Sequence, residues 1–276
     1  MMTGNRTATA TTKRSTTATV ATPCTSTTME AVQQKLRDFR ISGMALALPA
    51  RLAQARSEEC DYLDLLDRLL SDEMDKRQGT LVERRFKASR MPARHTFDAF
   101  DFGFNPAIPR RRIMDLATTR FVTEASNILM IGPPGVGKTH MAVALGMNAI
   151  LQGYTVAYRS AFDLVDELAE AAGTGTRKKR IHAFAAPQLL IVDEFGMKSL
   201  PAHAAEDFLE IIHRRHGEGS TLIATNRPVE DWGRILGDNA ATSAILDRFL
   251  EQAELIAIEG KSYRNDRKRR EQTSQR

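Results

Sequence analysis

Cysteine is almost missing from the 276 residues: Cys24 and Cys60 lie far apart and in no metal-ligand spacing. That argues against a disulfide framework or a zinc module and suits a reducing, cytoplasmic compartment. No apolar run approaches the ~18 residues of a membrane span, and no secretory leader with an apolar centre opens the chain. Acids are missing from residues 1–28, as are nearly all side chains large enough to bury; Thr, Ala and Ser fill that stretch. Such a segment cannot offset its ordering entropy, so a disordered tail is expected. Its composition has a weak transit-peptide character without an amphipathic helix. The favoured alternative is an over-long start, with Met29 as the functional first residue. No internal repeat is evident.

What is present is enough apolar material, 42%, for a substantial core. The net charge of +5 belongs to the ends. Residues 261–276 carry seven Lys/Arg against two acids and residues 1–28 three against none, which leaves −3 for residues 29–260. Inside, residues 76–120 hold eleven Lys/Arg against four acids, including Arg84, Arg85, Lys87, Arg90 and Arg110–Arg112. Such a run is ordinarily a solvated face. Contact with a DNA phosphate backbone is the sharper reading.

From Met29 onward, Val32, Leu36 and Phe39 recur at helical spacing, and Gly43 reads as a stop. A second helix is expected to start at Ser57 as N-cap, with Glu58 and Glu59 in its first turn and a stripe of Tyr62, Leu63, Leu66, Leu69 and Leu70. A third, basic helix is expected over 80–90. Residues 29–90 then form a small helical adaptor, and 91–108, with Phe97, Phe100, Phe102 and Phe104, an aromatic connector. After a helix at 109–123 the pattern alternates strand and helix. Strands are expected near 127–131, 154–158, 188–193, 220–225 and 254–258, and helices near 138–152, 160–171, 202–216 and 242–250. That alternation predicts an α/β fold with a five-stranded parallel sheet flanked by helices. Runs such as Ile128–Ile131 and Leu189–Val192 do not alternate, as strands buried on both faces should not.

Gly132-Pro133-Pro134-Gly135-Val136-Gly137-Lys138-Thr139 matches the phosphate-binding loop, G-x-x-x-x-G-K-[ST]. Glycines let the backbone wrap closely so that successive N–H groups face phosphates, and the next helix adds its N-terminal dipole. Lys138 is expected to bridge the β- and γ-phosphates of ATP, and the Thr139 hydroxyl to ligate Mg²⁺. Leu189–Glu194 is an apolar strand that delivers Asp193 to the same sheet edge, as a Mg²⁺ ligand through water, and Glu194, as the group that polarises the attacking water. Thr221–Asn226 is a further strand ending in polar residues at that edge. Asn226 can bond the γ-phosphate and the attacking water, or simply start the turn before Val229. Arg248 and Arg264 stand out as arginines that are either surface residues or parts of the site.

The ordered set Gly132–His140, Val192-Asp193-Glu194, Ala224-Thr225-Asn226, Ile245–Arg248 and Glu259–Arg264 resembles the IstB family, AAA+ helper ATPases of insertion sequences that are similar to the helicase loader DnaC. The likeness starts near Met29, through Leu36–Met44, and runs to about Arg264. It implies an AAA+ core over 109–264, assembly into a ring or helical homo-oligomer on DNA, and a transposase partner. It also places His140 and Arg264 with the nucleotide-binding residues, Arg264 as sensor-2. Asn226 then looks like sensor-1, and Arg248 like an arginine finger completing a neighbour's site. Only about 18 residues follow the last strand, too few for the usual helical lid. DNA contacts would be sought at Arg177–Arg180 and within 76–120. The rival readings are a DnaC-like helicase loader, a small-molecule P-loop kinase, and a nucleotide switch with vestigial hydrolysis. Against a kinase stand the Asp193-Glu194 pair and Asn226.

Overall fold

The computed structural model describes residues 27–197, 200, 201, 203–260, 262, 263 and 266. Residues 1–26 of the tail expected over 1–28, all but residue 266 of the basic tail expected over 265–276, and Arg264 lie outside the described residues. The chain forms two compact units, with the boundary between Arg77 and Gln78.

In the first unit, α1 (Met29–Asp38) is capped by Thr28, whose hydroxyl accepts from the Ala31 N–H. It is followed by α2 (Ser42–Glu58) and the start of α3 (Tyr62–Ser89). Met44, Leu48 and Leu69 form a small core, with Val32, Leu36, Leu52 and Leu65 packed on it. Three expectations fail along these helices. Gly43 does not stop a helix: it lies in the first turn of α2, and a Cβ there would come within 2.7 Å of the Glu73 Cα. The Gly43 N–H donates to Glu73 Oε2 at 2.6 Å, so the glycine permits a close helix crossing. Ser57 caps no helix start either; it lies in the last turn of α2, and the following helix begins at Tyr62, whose N–H donates to Asp61. The expected separate helix over 80–90 is the end of α3.

In the second unit, α4 (Arg110–Leu116) and α5 (Arg120–Thr123) lead into β1 (Asn127–Ile131), α6 (Lys138–Leu151), β2 (Val156–Ser160), α7 (Ala161–Gly173) and α8 (Arg177–Ala185). Next come β3 (Leu189–Phe195), α9 (Ala204–Arg215), β4 (Ser220–Thr225), α10 (Trp232–Leu236), α11 (Asn239–Leu250) and β5 (Ala253–Ala257). The five strands form one parallel sheet in the order β2-β3-β4-β1-β5. Alternate residues enter different cores, which is why the apolar runs are continuous. Ile128, Met130, Leu189, Ile191 and Leu222 face α6, and Leu129, Leu190, Val192 and Ile223 face α7, α9 and α11.

The helix α8 has no counterpart among the expected elements, because its opening Arg-Lys-Lys-Arg reads as a charge run. Its far end is held by Arg215, which is 2% exposed and has no carboxylate partner among the described residues. The guanidinium instead donates to the carbonyls of Phe184, Ala185, Pro187 and Ser220 and to the Thr221 hydroxyl. Burial lowers its pKa to about 10. No helix among the described residues is long and apolar enough to cross a membrane.

Candidate nucleotide site

The C-terminal edge of the sheet gathers the motif residues. The loop after β1 takes positive φ at Gly135 (84°) and Gly137 (105°), the left-handed region that favours glycine. Side chains would also collide there: a Cβ at Gly132 would sit 2.3 Å from the Ile258 carbonyl, and one at Gly137 2.8 Å from the Phe100 ring. The loop is therefore a cradle of bare backbone at the N-terminus of α6, the arrangement that holds phosphate. Lys138 opens α6 and curls back, donating to the carbonyls of Gly132 (2.6 Å) and Pro133 (2.9 Å). Burial lowers its pKa, and the charge of nearby Asp193 partly offsets this. Thr139 follows on the first turn and is exposed.

Asp193 is 2% exposed near the end of β3. Its Oδ1 accepts from the Glu194 N–H at 2.8 Å and its Oδ2 from the Tyr158 hydroxyl at 2.9 Å. The register of β3 against β4 slips between Val192 and Phe195, and Glu194 sits in that irregularity with φ 57°. A non-glycine residue in this region is uncommon. The slip turns Glu194 out while Asp193 and Phe195 stay buried. One strand end thus supplies a buried, hydrogen-bonded carboxylate and an exposed one. Asn226 directly follows β4, and its buried amide oxygen has no hydrogen-bond partner among the described residues. An orphaned polar atom at this edge calls for a ligand or a water.

Beside the loop lies a cavity of about 630 Å³ whose wall combines Gly135–His140 with His95, Phe100, Phe104, Asn105 and Tyr263. His140 stacks on His95 with ring centroids 4.1 Å apart, and its Nε2 lies 3.1 Å from the Thr96 carbonyl. Phe104 meets Tyr263 edge-on at 4.9 Å. Asp193, Glu194 and Asn226 are not part of this wall, so the aromatic cavity and the strand ends are two ends of one candidate site, joined by the loop and Lys138. Motif spacing does not reveal the connector residues His95, Phe100, Phe104 and Asn105, nor Tyr158. The run of four phenylalanines is the available signal for the connector. Tyr158 carries none, because its contact depends on strand register.

Arg248 lies near the end of α11, half-buried. Its guanidinium meets the Ala244 carbonyl of its own helix at 3.3 Å, and no carboxylate pairs with it among the described residues. The DNA candidates on α8 divide. Arg177 pairs with Asp207 and Glu210, and Arg180 with Glu167, while Lys178 is exposed.

A parallel sheet with a phosphate-binding loop after its β1 strand, an Asp-Glu pair ending β3 and an asparagine after β4 define the class: an AAA+ P-loop ATPase. The chain belongs to the family of IstB-like ATP binding proteins, whose profile matches residues 34–271. The putative ATP-binding protein of insertion sequence IS5376 from Geobacillus stearothermophilus is 34% identical over 246 residues, 89% of this chain and 98% of that protein. That of insertion sequence IS21 from Pseudomonas aeruginosa is 32% identical over 242 residues, covering 88% and 91%. Among solved structures, the replication initiator DnaA bound to AMPPCP and single-stranded DNA matches with a TM-score of 0.53 at 22% identity. The match covers 62% of this chain and 52% of that one, a likeness of fold.

Proposed function

We propose that this ATPase is the DNA-binding helper of a transposase, hydrolysing Mg²⁺-ATP at the sheet edge built by Lys138, Thr139, Asp193, Glu194 and Asn226. The observation that carries the chemistry is the buried Asp193, whose charge acts on Lys138, beside the outward-turned Glu194. The donor set fits Mg²⁺: a hydroxyl and a carboxylate are hard oxygen ligands beside a phosphate site. Thr139 and Asp193 would hold the ion, which would neutralise charge on the β- and γ-phosphates.

The chain's own residues do the rest. The loop N–H groups and Lys138 fix the phosphates. Glu194 takes the proton of the attacking water, and Asn226, with its unpaired amide oxygen, orients that water. Arg248, with no carboxylate partner among the described residues, serves the γ-phosphate of a neighbouring copy, so hydrolysis requires a homo-oligomer. Lys178 and Lys179 on α8 offer cations to a DNA backbone, together with Arg84 and Arg111 from the basic stretch. The transposase follows from the relatives' insertion sequences; a helicase loader would need a helicase in that place. ATP turnover by the full chain, with and without duplex DNA, tests the reading. It predicts DNA-stimulated hydrolysis; turnover indifferent to DNA contradicts it.

A further inference from the structure

Tyr158 belongs to no nucleotide-binding motif, yet it touches the most buried acid of the site. In the parallel register of β2 and β3, Tyr158 lies opposite Ile191, so Asp193 is two residues further along the same face. That diagonal is within reach of a long aromatic side chain, and the hydroxyl stands 2.9 Å from Asp193 Oδ2. The ring packs on the core beneath α6, which leaves the hydroxyl as its one polar handle.

We propose that Tyr158 is a positioning residue: its hydroxyl holds the Asp193 carboxylate in the one rotation that presents a free lone pair to the metal–nucleotide complex. Each carboxylate oxygen accepts about two hydrogen bonds. The Glu194 N–H takes one site on Oδ1 and Tyr158 takes one on Oδ2, which leaves one on each oxygen for the metal's water. Without the hydroxyl, Oδ2 loses its donor in a nearly water-free setting, and the carboxylate turns to find another. Outer partners of metal-binding groups are worth about 10–100-fold in metal affinity or activity.

This inference rests on Asp193 being the metal-binding carboxylate, and the test separates the two ideas. Mn²⁺ is titrated into the full chain with AMPPCP and followed by electron paramagnetic resonance; AMPPCP binding without metal is measured alongside. Asp193→Asn should raise the Mn²⁺ midpoint strongly. If it does not, the metal reading itself is wrong. Tyr158→Phe should raise the midpoint about tenfold, leave metal-free AMPPCP binding within about twofold, and add nothing on top of Asp193→Asn. A purely structural tyrosine would weaken both kinds of binding alike. A midpoint within about twofold of wild type in a folded Tyr158→Phe chain, with Asp193→Asn shifted, overturns the proposal. If Tyr158→Phe does not fold, 3-fluorotyrosine at position 158 keeps the shape and makes the phenol a stronger donor. The Mn²⁺ midpoint should then move by about twofold or more, and no movement overturns the proposal.

Discussion

The two ends of the nucleotide site are built on different principles. At the phosphate end, backbone conformation decides everything: glycines at positive φ, a strand slip that ejects Glu194, and a lysine folded onto carbonyls. At the outer end, side-chain packing decides: His95 on His140, Phe104 against Tyr263, and Phe100 over Gly137. The first end is expected to set the rate and the second the affinity.

The largest expected effect completes the phosphate end from another copy. Arg248→Ala should leave ATP binding nearly intact while hydrolysis falls about 10³–10⁵-fold, the scale of an arginine finger. Mixed with Lys138→Ala, it should regain partial activity in a DNA-dependent way, because some interfaces then join an intact loop to an intact finger. No recovery in co-assembled mixtures would mean that Arg248 acts within its own subunit or only supports the fold. Next in size, Glu194→Gln should cut turnover by roughly 10²-fold or more with ATP affinity preserved. Normal turnover would reduce Glu194 to a strand-end residue.

The outer end should respond the other way round. Phe100→Ala removes an aromatic wall worth about 1 kcal/mol, so ATP and ADP affinity should both fall about 5-fold, with turnover at saturation nearly unchanged. A fall in saturated turnover instead would erase the distinction between the two ends. The smallest effect concerns pH. Burial, and then the charge of His140, hold the His95 pKa below 6.5. A depressed folded value means that this contribution is complete above about pH 6.5 and is lost as pH falls through the folded pKa. Melting temperature should therefore decline below about pH 6.5, and His95→Phe should flatten that part of the profile. Unaltered pH dependence in the variant would remove His95 from the account.

The same contrast explains what is legible in the sequence. The loop, β1, β3 and β4 are written locally, since glycine spacing and apolar runs ending in a glycine loop, an acid pair or an amide leave few alternatives. The connector wall is visible only as aromatic richness, because what a ring touches depends on residues far away in the chain. The first-unit helices mislead for a related reason. Gly43 looks like a stop, yet it lies inside α2, where it accommodates Glu73 and tertiary packing overrides propensity. In α8, the charges of Arg177 and Arg180 hide ion pairs to α7 and α9 that only the fold reveals. Tyr158 is the extreme case, since its role is set by strand register alone.

The account stands on Lys138 as the side-chain cation at the phosphates. Calorimetric titration of ATP into the full-length Lys138→Ala chain tests it most directly. Binding should be lost or weakened by orders of magnitude, and ATP-dependent DNA binding should vanish with it. ATP affinity equal to wild type would show that the nucleotide binds elsewhere.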